Sequence, residues 1–117
     1  MSKEIELLPI LLQYQLLLKI YHWQTKIYAR HKASDELYNH VTEFIDHLVE
    51  YESSTSRLTI KPYHIVIHNM SDENAISFLE SFSAIVERIS SKNKGVRARR
   101  DDLIGFIYQT IYLYHLS

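Results

Sequence analysis

Imidazole and carboxylate are the side chains that hold a borderline or hard metal ion, and in this 117-residue chain they recur at regular intervals. His22 and Trp23 are followed by His31, with Asp35 four residues on, Asp46 eleven further and Glu50 four beyond that. At about 100° per residue, a helix over Ala33 to Ser56 holds Asp35, Asp46 and Glu50 within roughly a 60° arc. Extending it back to His31 widens the arc to about 100°. Four side chains able to bind metal thus share one stripe. The chain has no cysteine, so any metal must be held by histidine and carboxylate, a donor set suited to iron or manganese, with zinc the common competitor.

On the same wheel Leu37, Val41, Phe44, Ile45 and Leu48 form an apolar stripe centred roughly 140° from the acidic one. The carboxylates therefore lie outside their own bundle's core and face either water or another subunit. Acidic residues on the polar side of a helix are ordinarily a solvated face. His22 alone, at the border of its helix's apolar stripe beside Leu18 and Gln15, would read as a packing residue. Only its partnership with His31 and Asp35 makes it a candidate ligand.

The elements that must position these residues are helices. A hydrophobic fraction of 46% with two Gly and two Pro points to one all-α domain, residues 1–117, with few short connections. Pro9 suits a first helical turn, so helix A is expected from about Glu6 to Ala29, packing through Leu11, Tyr14, Leu18, Tyr21, Thr25 and Tyr28. Helix B is expected from Ala33 to Ser56, ending in the hydroxyl run Ser53-Ser54-Thr55-Ser56. From Arg57 to Met70 the pattern changes. Pro62 blocks a helix, and Tyr63-His64-Ile65-Val66-Ile67-His68 is β-branched and alternating, as in a short strand or an extended crossover. Ser71 with Asp72 and Glu73 reads as the start of helix C, which buries Ala75, Leu79, Phe82, Ile85, Val86 and Ile89 and stops near Asn93-Lys94-Gly95. Helix D follows from about Arg99 to His115, with Leu103, Ile107, Ile111 and Tyr114 on one side. Phe106, Tyr108, Tyr112 and His115 are more aromatic surface than one bundle helix needs, and suit packing against another chain.

The net charge of −1 implies no general attraction to nucleic acid or anionic membrane. The basic run Lys92 to Arg100 is followed directly by Asp101 and Asp102, so it reads as a solvated interhelical turn before a nucleic-acid surface. His64 and His68 read as loop histidines. Leu7 to Ile20 is interrupted by Gln13, Gln15 and Lys19 with no small-residue cleavage site after it, which argues against a signal peptide or membrane span, so a soluble cytoplasmic protein is expected.

The series His22-Trp23-Gln24, His31-x3-Asp35, then eleven residues to Asp46-x3-Glu50 resembles the ferroxidase signature of the Dps-type mini-ferritins: His-Trp-Asn, His-x3-Asp, and Asp-x3-Glu. The resemblance spans roughly Leu12 to Glu52, and the remainder follows the family only in helix order. Three features depart from it: the His22 to His31 interval is about three residues shorter, the glycine after His-Trp-Asn is absent, and Gln24 stands where Asn is usual. The resemblance implies a ferritin-like four-helix bundle with a long crossover between helices 2 and 3. It also implies an iron site between two subunits of a homodimer, in which one chain supplies His22, His31 and Asp35 and the other Asp46 and Glu50. Trp23 would lie beside that site and quench radicals, or act as a helix-packing anchor. The implied activity is oxidation of Fe(II) to Fe(III) by peroxide or dioxygen, with iron storage and oxidative protection if copies assemble into a shell. A reading of a different class keeps the bundle and drops the chemistry, leaving a structural or assembly module. A third makes Lys92 to Arg100 a nucleic-acid contact.

Overall fold

The computed structural model describes residues 2–117, Met1 lying outside the described residues, and consists of helices α1 (Leu8–Gln24), α2 (Tyr28–Glu52), α3 (Ala75–Glu87) and α4 (Lys94–His115). Two two-residue strands, β1 (Ser2–Lys3) and β2 (Arg57–Leu58), pair in parallel and pin the N-terminus to the exit of α2. Among the described residues no helix is long and apolar enough to cross a membrane.

The core follows the apolar periodicity. Leu37, Val41, Phe44, Ile45 and Leu48 of α2 are all buried, and meet Leu11, Leu18 and Tyr21 of α1, Leu79, Phe82 and Val86 of α3, and Leu103, Ile107 and Tyr114 of α4. Each leucine-sized side chain so buried contributes about 1.5–3 kcal/mol. α2 is the central helix, packed along both α1 and α4.

Long-range contacts fix the helix directions. Gln15 reaches Thr42 and Lys19 reaches Asp35, so α1 and α2 are antiparallel. Arg30 at the start of α2 meets Tyr114 at the end of α4. Tyr21 near the end of α1 meets Asp72 just before α3, and Tyr14 packs on Phe78 and Phe82. The order is therefore up, down, down, up. α2 and α3 run the same way, so residues 53–74 must climb the length of the bundle. They do so as an extended, largely irregular crossover.

The boundaries differ from the sequence expectation for local reasons. α1 ends at Gln24, short of Ala29, because Thr25 turns extended (φ −61°, ψ 142°) and its hydroxyl oxygen accepts the Ile27 N–H at 3.2 Å, a side-chain turn that competes with the helix. α2 consequently starts at Tyr28, five residues before Ala33, and ends at Glu52 ahead of the hydroxyl run. α3 starts at Ala75 rather than at Ser71, because the Asp72 carboxylate is turned toward α1 instead of capping its own helix. α3 stops at Glu87. Asn93, expected at its end, instead opens α4, its Oδ1 accepting from Gly95 N at 2.7 Å and Val96 N at 3.1 Å, as a helix N-cap does. Gly95 thus lies in the first turn of α4 and has no positive φ. A Cβ added there would come within 2.9 Å of Asn93 Oδ1.

Candidate functional site

The three-residue turn between α1 and α2 sets the last turn of one helix against the first turn of the next, and His22 and His31 face each other across it. His22 Nδ1 donates to the His31 carbonyl at 2.6 Å, and His31 Nδ1 donates to the His22 carbonyl at 2.7 Å. The two rings stack with centroids 3.9 Å apart and planes 17° from parallel. A carbonyl only accepts, so each Nδ1 carries a proton, and Nε2 is the atom left on each ring that would bind a metal. Ser34, fully buried, donates its hydroxyl to the same His31 carbonyl at 3.1 Å.

Asp35 lies one turn along α2. Its Oδ1 is 3.9 Å from His22 Nε2, beyond hydrogen-bond reach, and 3.4 Å from Lys19 Nζ. The Lys19 ammonium also lies over the Tyr38 ring, 4.7 Å from its centroid, and 5.8 Å from that of Trp23. Trp23 is 68% exposed. It follows His22 directly in sequence and is not buried in the packing of its own chain.

Asp46 and Glu50 are exposed on the outer face of the same helix. At 1.5 Å per residue, Asp46 lies about 16 Å along α2 from Asp35, so the two groups do not converge within one chain. Among the described residues no three His, Asp or Glu side chains are placed to hold a metal ion together. Of the five candidate ligands, the fold stacks His22 on His31 and leaves Asp35 3.9 Å from His22 Nε2, while Asp46 and Glu50 stand apart.

Beside the histidine pair lies a polar network that the sequence reading missed. Arg30 is buried, and its guanidinium donates to Ser117 Oγ at 2.8 Å, Tyr114 O at 2.8 Å, Asp72 O at 2.9 Å and Tyr21 Oη at 3.3 Å. Asp72 accepts from Tyr21 Oη at 2.7 Å, Thr25 Oγ1 at 2.5 Å and Lys26 N at 3.4 Å. Partial burial acts to raise the Asp72 pKa, but the bonds from Thr25, Tyr21 and the Lys26 N–H, with the Arg30 charge, outweigh it and hold the group below the ordinary aspartate value. Burial pushes the Tyr21 and Tyr114 hydroxyls up. A signal for Arg30 was present, since it lies seven and eleven residues before Leu37 and Val41, on α2's own apolar stripe. A charge on that stripe must be buried with partners. Gln24 also has a role: its amide donates to Asn69 Oδ1 at 2.9 Å and accepts from Met70 N at 2.7 Å, anchoring the end of the crossover.

His64 and His68 are exposed in the crossover. Within the basic run, Arg97 donates to Ser91 O and Arg100 to Ile89 O, each at 2.8 Å, so two of its guanidiniums cap carbonyls beyond the end of α3.

Comparison with curated proteins and with solved structures gives no match. The sequence profile of a family of unknown function, DUF5856, matches residues 22–114 and so takes in the whole candidate site from His22 to Glu50. With most of its length matched, the chain belongs to this family of unknown function, DUF5856.

Proposed function

We propose that two copies of this chain bind Fe(II) between them and oxidise it with peroxide or dioxygen, in a ferritin-like bundle of the mini-ferritin type. The observation that carries this reading is the interlocked pair His22 and His31. Each Nδ1 is committed to a backbone carbonyl, each Nε2 is left for another partner, and the Asp35 carboxylate lies 3.9 Å from one of them. Two neutral imidazoles and a carboxylate fit iron or manganese. The helix order and the long crossover agree with the ferritin-like arrangement.

The 16 Å separation along α2 gives the partner its role. In an isologous dimer with the two α2 helices antiparallel, Asp46 and Glu50 of each chain approach the histidines of the other, and two equivalent sites form. With Fe(II) as substrate, anionic oxygens favour the harder Fe(III) and ease loss of an electron. Two Fe(II) supply the two electrons that break the O–O bond of one peroxide, which takes up two protons and leaves as two waters. Storage would need a closed shell of such dimers.

One observation favours the structural-module reading: Lys19 already supplies a cation at Asp35, 3.4 Å away. Anaerobic Fe(II) titration followed by peroxide, monitored by near-ultraviolet absorbance on wild type and Asp46→Ala, separates the two. Saturable binding and fast oxidation, both lost in the variant, are the expected result. Wild-type binding no greater than that of an albumin control contradicts the proposal.

A further inference from the structure

The bundle is not closed equally on all sides. α2 packs closely along α1 and α4, and α3 along α4, but α1 and α3 touch over a much shorter stretch. Between them, edged by the end of the crossover, lies a groove of about 360 Å3, within the range of small-molecule sites. α1 turns Gln13, Tyr14 and Leu17 toward it, and α3 with its N-cap residue turns Asn74, Phe78 and Ser81, each set on one face of its helix. Leu17 is buried and the Tyr14 and Phe78 rings are half-buried, so these three form the floor, while Asn74 and Ser81 stand exposed at the rim. Tyr14 is fixed there. Its ring packs on Phe78 and Phe82, with centroids 5.2 and 5.0 Å away, and Ser81 hydrogen-bonds its hydroxyl.

The lining says what kind of ligand fits. The chain is 23% charged, and four other surface cavities each carry at least three Asp, Glu, Lys or Arg side chains. This groove carries none, and His68 at its edge is the one lining group that titrates near neutral pH. A charged ligand would lose water here and gain no counter-charge. Aromatic faces offer stacking to a flat ring. A carboxamide presents a donor beside an acceptor, the pattern found on the edge of a nucleobase. The groove has one on each side, Gln13 from α1 and Asn74 from the start of α3. The Asn74 side chain makes no cap bond to its own helix, so its amide is not committed there.

We infer that this groove binds an uncharged nucleoside, the base stacked against Tyr14 and Phe78 and its edge read by the Gln13 and Asn74 amides. The site shares no residue with the five candidate metal ligands and requires no metal.

The test is an NMR titration of isotope-labelled protein in chelator-treated buffer with adenosine, uridine, their monophosphates and glucose, followed through the side-chain amide resonances of Gln13 and Asn74. At least one nucleoside should shift both resonances saturably, with a Kd below about 1 mM. Its monophosphate should bind at least about threefold more weakly, because the phosphate meets no cation in the lining. Gln13→Ala combined with Asn74→Ala should weaken nucleoside binding about tenfold through the lost hydrogen bonds. The helical circular dichroism of that variant should match wild type, since neither side chain is buried. No saturable shift with either nucleoside up to about 5 mM would overturn the inference. So would a monophosphate or glucose that binds as tightly as the nucleoside, or a double variant that binds as well as wild type.

Discussion

Near its N-terminal end α2 carries three polar side chains held by their own chain. Arg30 holds four acceptors, His31 exchanges backbone bonds with His22, and Ser34 is buried beneath them. Farther along the same helix Asp46 and Glu50 stand exposed, and among the described residues neither belongs to a group placed to hold a metal. One end is positioned by its own chain and the other is not. Residues that share a stripe on the helical wheel thus differ in their support: His31 is positioned by its own chain, and Asp46 and Glu50 are not.

Substitutions at the two ends should therefore break different things. The largest loss of stability is expected from Arg30→Met, which removes four donated bonds, among them those to the Asp72 and Tyr114 carbonyls. About 2–4 kcal/mol is expected, read as a lower urea midpoint at unchanged slope. His22→Ala comes next, at about 1–2 kcal/mol from the lost carbonyl bond and ring packing, together with loss of iron oxidation. At the bare end, Asp46→Ala should leave stability within about 0.5 kcal/mol of wild type while abolishing oxidation as completely as His22→Ala does. A large stability loss there would erase the distinction between the ends.

The network beside the built end also titrates. Asp72 has a lowered pKa in the folded state, so its contribution is fully present above the ordinary aspartate value near 4 and is lost as pH falls through the lower native value. Chemical denaturation from pH 6 to pH 3 should show wild type losing stability faster than Asp72→Asn, which lacks that titration. The smallest effect is expected at Lys19, whose partly exposed pair with Asp35 contributes less than about 1 kcal/mol. Lys19→Met should barely move the unfolding midpoint and, by removing a competing cation, tighten Fe(II) binding in the anaerobic titration.

What the sequence made legible was periodic. The buried stripe Leu37, Val41, Phe44, Ile45 and Leu48, the outward acidic face, and the extended crossover after Pro62 follow from spacing and residue shape alone. The helix ends were less legible because they are decided by side chains reaching across the fold. Thr25 stops α1 while bonded to Asp72, 47 positions away, and Asp72 leaves its expected capping place to do so. The Arg30 network joins residues up to 87 positions apart, and no local pattern encodes those pairings. The stacking of His22 on His31 likewise depends on a turn three residues long, set by the Thr25 conformation and not by either histidine.

The proposal that the histidine end and the acidic end of α2 form one site between two chains is tested most directly by complementation. His31→Ala and Asp46→Ala chains are each expected to be inactive in peroxide-driven Fe(II) oxidation. Unfolded together and refolded as a mixture, they should recover about a quarter of the wild-type sites, since half the dimers are mixed and each mixed dimer has one intact site of two. Recovery to that level is the result expected if His31 and Asp46 serve one site from different subunits. A mixture as inactive as its components, with dimers shown to have exchanged, would contradict it.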